Sequence, residues 1–279
     1  GRFCELLGIL NQTRPFQLSL LRVATLHRDI ECELMLIQLI LRSYLHCNLY
    51  DVADKFASKV FATPASLAQQ HYRSGTANAS FVKMLFYVGK IEAVKLNYTK
   101  AYEYLQLALR KAPSTASGFQ QSCAKLLIIV QLLMGDLPEK SLFTEHSGMQ
   151  PYVTISQSVH QGNTELFQSI LTNQPAIVER LERDGTLSLV LRLRHNVIKA
   201  AVKRANIAYS HITLADLGAR IFPKTLAPSE GVSSGDGGME AEFVALKCIK
   251  DGVVDAYVTH QSNNSSSACL HSKDLLNVY

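Results

Sequence analysis

LSLVLRLRHNVIKAAVKRANIA, residues 187–208, is the stretch on which the fold turns. At about 100° per residue, the helical step, Leu187, Val190, Leu191, Val197, Ile198, Ala201, Ala205 and Ala208 share one broad apolar face. Arg192, Asn196, Lys199 and Lys203 take the opposite face. The stretch reads as one central helix, with helices packed before it and a compact unit folded after it. Arg194 falls near the middle of the apolar side. A charge there is costly unless it is paired and hydrogen-bonded. Arg194 is therefore expected to be buried or half-buried against a carboxylate or helix-end carbonyls, with Asp184 and Asp216 as the candidate acids. His195 lies at the boundary of that face, suited to packing, capping or contact with a neighbouring subunit.

Downstream the texture changes. Thr213 is a good helix N-cap, and Asp216 stands three residues on, as in a capping box. A short helix over 214–221 follows. The run PKTLAPSEGVSSGDGG (223–238) is rich in Pro, Gly and Ser and reads as a surface loop. No strand precedes its glycines and no Lys-Ser/Thr follows them, so it lacks the pattern of a phosphate cradle. A helix over 240–250 stops at Asp251-Gly252, where glycine suits a left-handed cap. Residues 254–259 alternate as a strand, 261–267 form a polar turn, and 268–271 return as a second strand. Three helices and a two-stranded wing make a winged helix.

Upstream of residue 172 the apolar spacing is helical throughout. Helices are expected over 31–44, 49–61, 81–95, 98–112 and 118–134, the last stopped by Gly135 with Pro138 beyond. A shorter pair, 151–160 and 164–171, hinges at Gly162. One pair carries a repeat signature: Ala101, Leu105, Ala108 and Pro113 at spacings of 4, 3 and 5, with Gly89 twelve residues before Ala101. Tetratricopeptide repeats place small residues at such positions because two helices must approach closely there. Glu92 stands where a tyrosine is usual, and Tyr50, Ala53 and Ala57 echo the pattern weakly, so the solenoid is irregular.

The composition suits a globular chain: 47% hydrophobic and 18% charged residues over 279 positions, enough for one large domain or two ordinary ones. A net charge of +5, spread along the sequence, neither requires nor excludes nucleic acid. No apolar run reaches the ~18 residues of a spanning helix. The six cysteines (Cys4, Cys32, Cys47, Cys123, Cys248, Cys269) lie far apart without ligand spacing and read as reduced core residues. The nine histidines form no HExxH, and no GxSxG occurs. Asp51 and Asp54 sit at a helix start, where carboxylates favour the dipole. The chain is accordingly read as non-catalytic, with no metal and no cofactor. A winged helix can place its third helix in the major groove, but in EAEFVALKCIKD Glu240, Glu242 and Asp251 outnumber Lys247 and Lys250. A phosphate-facing helix needs the reverse balance.

LRLRHNVIKAAVKRANIAYSHITLADLGARI and AEFVALKCIKDGVVDAYV resemble the PCI domain, shared by subunits of the proteasome lid, the signalosome and an initiation-factor complex. Within that family YVGKIEAVKLNYTKAYEYLQLALRKAP, GFQQSCAKLLIIVQLLMGDLPEK, RLRHNVIKA and SHITLAD are most similar to one non-ATPase subunit of the 26S proteasome lid. The resemblance is good over about 81–279 and looser before. It implies TPR-like helical repeats over 1–80 and a PCI domain over 81–262, with a helical bundle at 81–185, a winged helix at 186–271 and a loop insertion at 223–239. It also implies a mainly α fold, a cytoplasmic and nuclear location, and a scaffold role in ubiquitin-dependent protein degradation. The expected partners are other PCI-domain lid subunits, docked wing to wing in a horseshoe, with no membrane and no nucleic acid. The alternative is a PCI subunit of the signalosome, or of a translation-initiation or mRNA-export complex with nucleic acid on the winged helix. The strand edges of the wing suit pairing between chains, so the candidate interface residues are Val254, Ala256, Tyr257 and Val258, with Phe243 and Ile249 on the preceding helix and Arg194, His195 and Asp216 as structural or contact residues.

Overall fold

A computed structural model of the chain describes residues 10–61, 78–145, 148–222, 236–260 and 268–272. Two compact units divide it, residues 1–149 and 150–279.

The first unit is helical throughout its described residues. Its helices are α1 (Leu10–His27), α2 (Ile30–His46), α3 (Tyr50–Phe61), α4 (Asn78–Val94), α5 (Tyr98–Lys111), α6 (Ser117–Met134) and the short α7 (Lys140–Thr144). Local chemistry sets the ends. The Asp29 side chain accepts from the Cys32 amide to open α2, and Gly135 takes a left-handed φ of 95° to close α6. The repeat signature marks a real close approach. Ala101, Leu105 and Ala108 are fully buried, and a Cβ on Gly89 would meet Leu105 Cγ at 2.8 Å. One hydrophobic cluster runs from Leu34, Ile37 and Ile40 through Val82, Leu85 and Ile91 to Cys123. This cluster draws on residues either side of 80/81, and the compact unit extends to residue 149. Asp54, read as a dipole-favouring carboxylate, pairs with Lys95 at 2.7 Å, which raises the lysine pKa.

The second unit holds α8 (Gln150–Gln161), α9 (Thr164–Asn173), α10 (Pro175–Asp184), α11 (Leu187–Arg192), α12 (Arg194–Ala208), β1 (His211–Thr213), α13 (Leu214–Ile221), α14 (Asp236–Lys250), β2 (Ala256–Thr259) and β3 (Cys269–Ser272). The single helix expected over 187–208 is two helices. Leu193 N–H bonds the Val190 carbonyl three residues back, a tightened turn that divides α11 from α12. The wing is a three-stranded antiparallel sheet in the order β1-β3-β2, not a two-stranded hairpin. The short segment before α13 joins it, pairing His211 with His271 and Thr213 with Cys269. Thr213 thus ends a strand and caps a helix, its hydroxyl accepting from the Asp216 amide. Helix α14 opens at Asp236, inside the expected loop. The rest of that loop, the 261–267 turn and Cys4 lie outside the described residues.

Gly162 marks a close approach of two backbones in this unit. It joins α8 to α9 with φ of 61°, and a Cβ there would meet the Ala201 nitrogen of α12 at 2.5 Å. Beside it, Arg204 of α12 donates to the Gln161 carbonyl at 2.9 Å. Cys123 and Cys248 are buried as expected, whereas Cys32, Cys47 and Cys269 are half-buried; all five are free thiols.

Candidate interface of the winged helix

Helices α12, α13 and α14 and the sheet close on one small core. Val202, Leu217, Ala245, Cys248 and Leu270 are buried there, with Val254 and Ala256 among them. Alternation along β2 puts Ala256 inward and Tyr257 outward. Val254 and Ala256 are only 4% and 3% exposed. Their side chains, expected at a partner contact, support the wing from within. Val258 and Ile249 are half-buried against the same core. Tyr257 and Phe243 do face solvent, 41% and 69% exposed.

Arg194 is exposed, not buried. The apolar residues buried by α12 and its cap are Leu193, Val197, Ile198, Val202 and Ala205. Leu193 therefore takes the place assigned to Arg194, and Leu191, expected inside, is 53% exposed. Both candidate acids are engaged elsewhere. Asp184 accepts from the Tyr152 hydroxyl at 2.9 Å, and Thr186 Oγ1 lies 3.2 Å from the same hydroxyl. Asp216 Oδ2 accepts from its own cap, Thr213, at 2.7 Å. His195 is exposed beside Arg194.

Lys199 and Asp251 pair at 2.8 Å between α12 and the end of α14. The lysine ammonium, hydrogen-bonded to the carboxylate, holds Asp251 below its ordinary pKa. With Arg204 donating to the Gln161 carbonyl, two basic side chains of α12, Lys199 and Arg204, serve packing within the unit. Glu242 of α14 lies 3.3 Å from His260, which keeps acidic character on the helix a nucleic-acid reader would present. Among the described residues no group of three or more His, Cys, Asp or Glu could hold a metal ion, and no helix is long and apolar enough to cross a membrane.

The outer face of the sheet carries a feature that strand alternation alone did not reveal. Tyr257, His271 and His211 occupy one row across β2, β3 and β1. Tyr257 and His271 stack with centroids 5.0 Å apart at 11°, and His271 and His211 at 6.3 Å and 27°. Thr259 Oγ1 lies 2.9 Å from His271 Nε2 and steadies the middle ring. The ladder depends on β1 joining the sheet, a long-range pairing with no local signature. Among the described residues, no strand pairs with the outer edge of β2.

These features define a helical-repeat protein that carries a winged helix. The family described as PSMD3-like, N-terminal TPR repeats, matches residues 1–156, and the chain belongs to that family. A probable 26S proteasome non-ATPase regulatory subunit 3 from Anopheles gambiae is 38% identical over 284 residues, covering 100% of this chain and 51% of the relative. The 26S proteasome non-ATPase regulatory subunit 3 homolog A of Arabidopsis thaliana is 36% identical over 99% of this chain and 51% of its own length. The probable 26S proteasome regulatory subunit rpn3 of Schizosaccharomyces pombe is 36% identical over 96% of this chain and 49% of its own. The chain spans about half the length of the curated relatives it matches.

Proposed function

We propose that the chain acts as a non-catalytic scaffold in the lid of the 26S proteasome regulatory particle, in cytoplasm and nucleus, supporting ubiquitin-dependent degradation through contacts with other PCI-domain subunits. The names of its relatives support the proteasome over the signalosome. The observation that carries the docking mode is the outer edge of β2, which has no strand on it among the described residues and displays Tyr257. Such an edge offers unpaired backbone donors and acceptors to a strand from a neighbouring chain. Val254 and Ala256, with Val258 packed beside them, fix the edge from the core side, while Tyr257 contributes its side chain to the contact. In this reading the second unit is the winged-helix part of a PCI domain.

Purified lid subunits mixed with wild-type chain and with Tyr257→Glu chain test this. Tyr257 is exposed, so the substitution leaves the fold intact, and a charge at an edge-pairing position blocks strand addition. Loss of co-elution with one neighbour is expected. Co-elution of the variant in wild-type proportion refutes edge pairing as the docking mode.

A further inference from the structure

Two concave sites meet at Arg194. One lies between α9 and α12, has a volume of about 200 Å³, and is floored by Phe167, Leu171, Val197 and Ile221. The other, about 810 Å³, runs between α12 and α14, over Phe243 and Val244. Leu191, Arg194, Ile198 and Phe222 line both, so the two form one continuous groove. The smaller site is below the roughly 300–1,000 Å³ of small-molecule pockets; it has room for a side chain. The hydroxyl oxygen of Thr164 also borders it, and is buried without a hydrogen-bond partner among the described residues. Leu191 and Phe243, 53% and 69% exposed, form the apolar walls.

The charge around this groove is one-sided. Arg192, Arg194, Lys199 and Lys247 line the larger site against one carboxylate, Glu240. Lys199 is neutralised by Asp251, and Arg194 makes no ion pair among the described residues. An apolar floor beneath exposed cations is the complement of an amphipathic segment with acidic flanks. Nucleic acid fits less well, since the floor is mainly apolar and Glu240 and Glu242 stand on α14.

We infer that this groove docks an acidic amphipathic segment of another polypeptide, one large apolar side chain filling the pocket beside Thr164 and carboxylates meeting Arg194 and Lys247. The inference deepens the scaffold reading by naming the chemistry of what binds beside α14. It does not use the wing edge.

The probe is a fluorescein-labelled sixteen-residue helical peptide with Leu and Phe at i, i+4 and i+7 and Glu on the flanks. A peptide with Lys in place of every Glu, and a labelled oligothymidine, serve as comparisons. Anisotropy with the full chain is expected to show binding of the acidic peptide only. Arg194→Glu and Phe243→Asp should each weaken it at least tenfold. Both residues are exposed, so both variants should keep the wild-type circular dichroism. Lys83→Glu, on an exposed face of α4, should change affinity less than twofold. Equal binding of the Lys peptide, unchanged affinity in Arg194→Glu, or oligothymidine binding lost in the same variants each overturns the inference. So does a chain dimer, seen by sedimentation, that Phe243→Asp dissolves, since the occupant is then a second copy. Tyr257→Glu leaves peptide binding unchanged, so failure here and failure of the wing edge are read separately.

Discussion

Replacing Gly162 by alanine tests how α12 is held. The left-handed φ of 61° costs an L-residue about 1–2 kcal/mol. The added Cβ would also sit 2.5 Å from Ala201 N, 2.7 Å from Ala201 Cα and 2.9 Å from Ala200 C. These are backbone atoms in mid-helix, with no rotamer to give way, so α12 has to shift. Overpacking of that kind costs about 1–3 kcal/mol. Together the two effects come to about 2–5 kcal/mol, a large part of the ~5–15 kcal/mol that holds an ordinary domain together. Gly252→Ala is the control, because its φ of 68° imposes the same backbone strain while nothing lies within 4 Å of the new Cβ. It should cost only the first 1–2 kcal/mol. The chain has two compact units, so one melting temperature does not isolate the effect. Hydrogen exchange of α12 peptides does: protection should fall further in Gly162→Ala than in Gly252→Ala. Equal loss of protection in the two variants refutes the close approach of the α8–α9 turn to α12.

Two other perturbations follow from buried groups. Burial pushes the Cys123 thiol up from 9.0 to about 12. The unfolded chain therefore ionises first, so this contribution is intact below pH 9 and is lost as pH rises toward 12, by ~1.4 kcal/mol per pH unit. Denaturation at pH 8, 9 and 10 should show a shallower alkaline decline in Cys123→Ala than in wild type; parallel declines count against a buried thiol. Tyr152→Phe removes the hydroxyl shared with Asp184 and Thr186 and should destabilise the second unit by about 1–3 kcal/mol. Chemical denaturation followed by circular dichroism measures it, as the chain has no tryptophan; a loss below 0.5 kcal/mol, taken as roughly the scatter of surface substitutions, refutes the bond's role.

Helices with dense apolar faces and clean stops were legible: α2, α5 and α6 lie close to where spacing and Gly135 put them. Helix α10 was not, although Pro175 opens it and Gly185, at φ of 66°, closes it. Between those signals only Leu181 is buried, with Ile177 and Val178 half-buried, so its apolar stripe spans little more than one turn. Helix α1 failed for the opposite reason. Phe16, Val23 and Leu26 are exposed and Pro15 lies inside the helix, so apolar content did not track burial. Strand β1 is three residues long and exists through pairing with β3, fifty-eight positions away at Ile212 and Leu270. No local pattern encodes such a pairing.

The misplacement of Arg194 has a single geometric cause. A uniform 100° step carries the apolar stripe of α11 through Leu191 to Arg194 and Ile198. The three-residue hydrogen bond from Leu193 to Val190 turns the chain more per residue than an α-helix does. The stripe that continues is then Val190, Leu193 and Val197, while Leu191 and Arg194 fall outside it. Leu191 and Arg194 reach the surface together for that reason. The same small break that defeats the periodic reading creates an exposed cation beside an exposed leucine, the pairing on which the groove between α12 and α14 depends. A strict helix through 187–208 would have put Leu191 and Arg194 in the core, and the face beside α14 would have held neither.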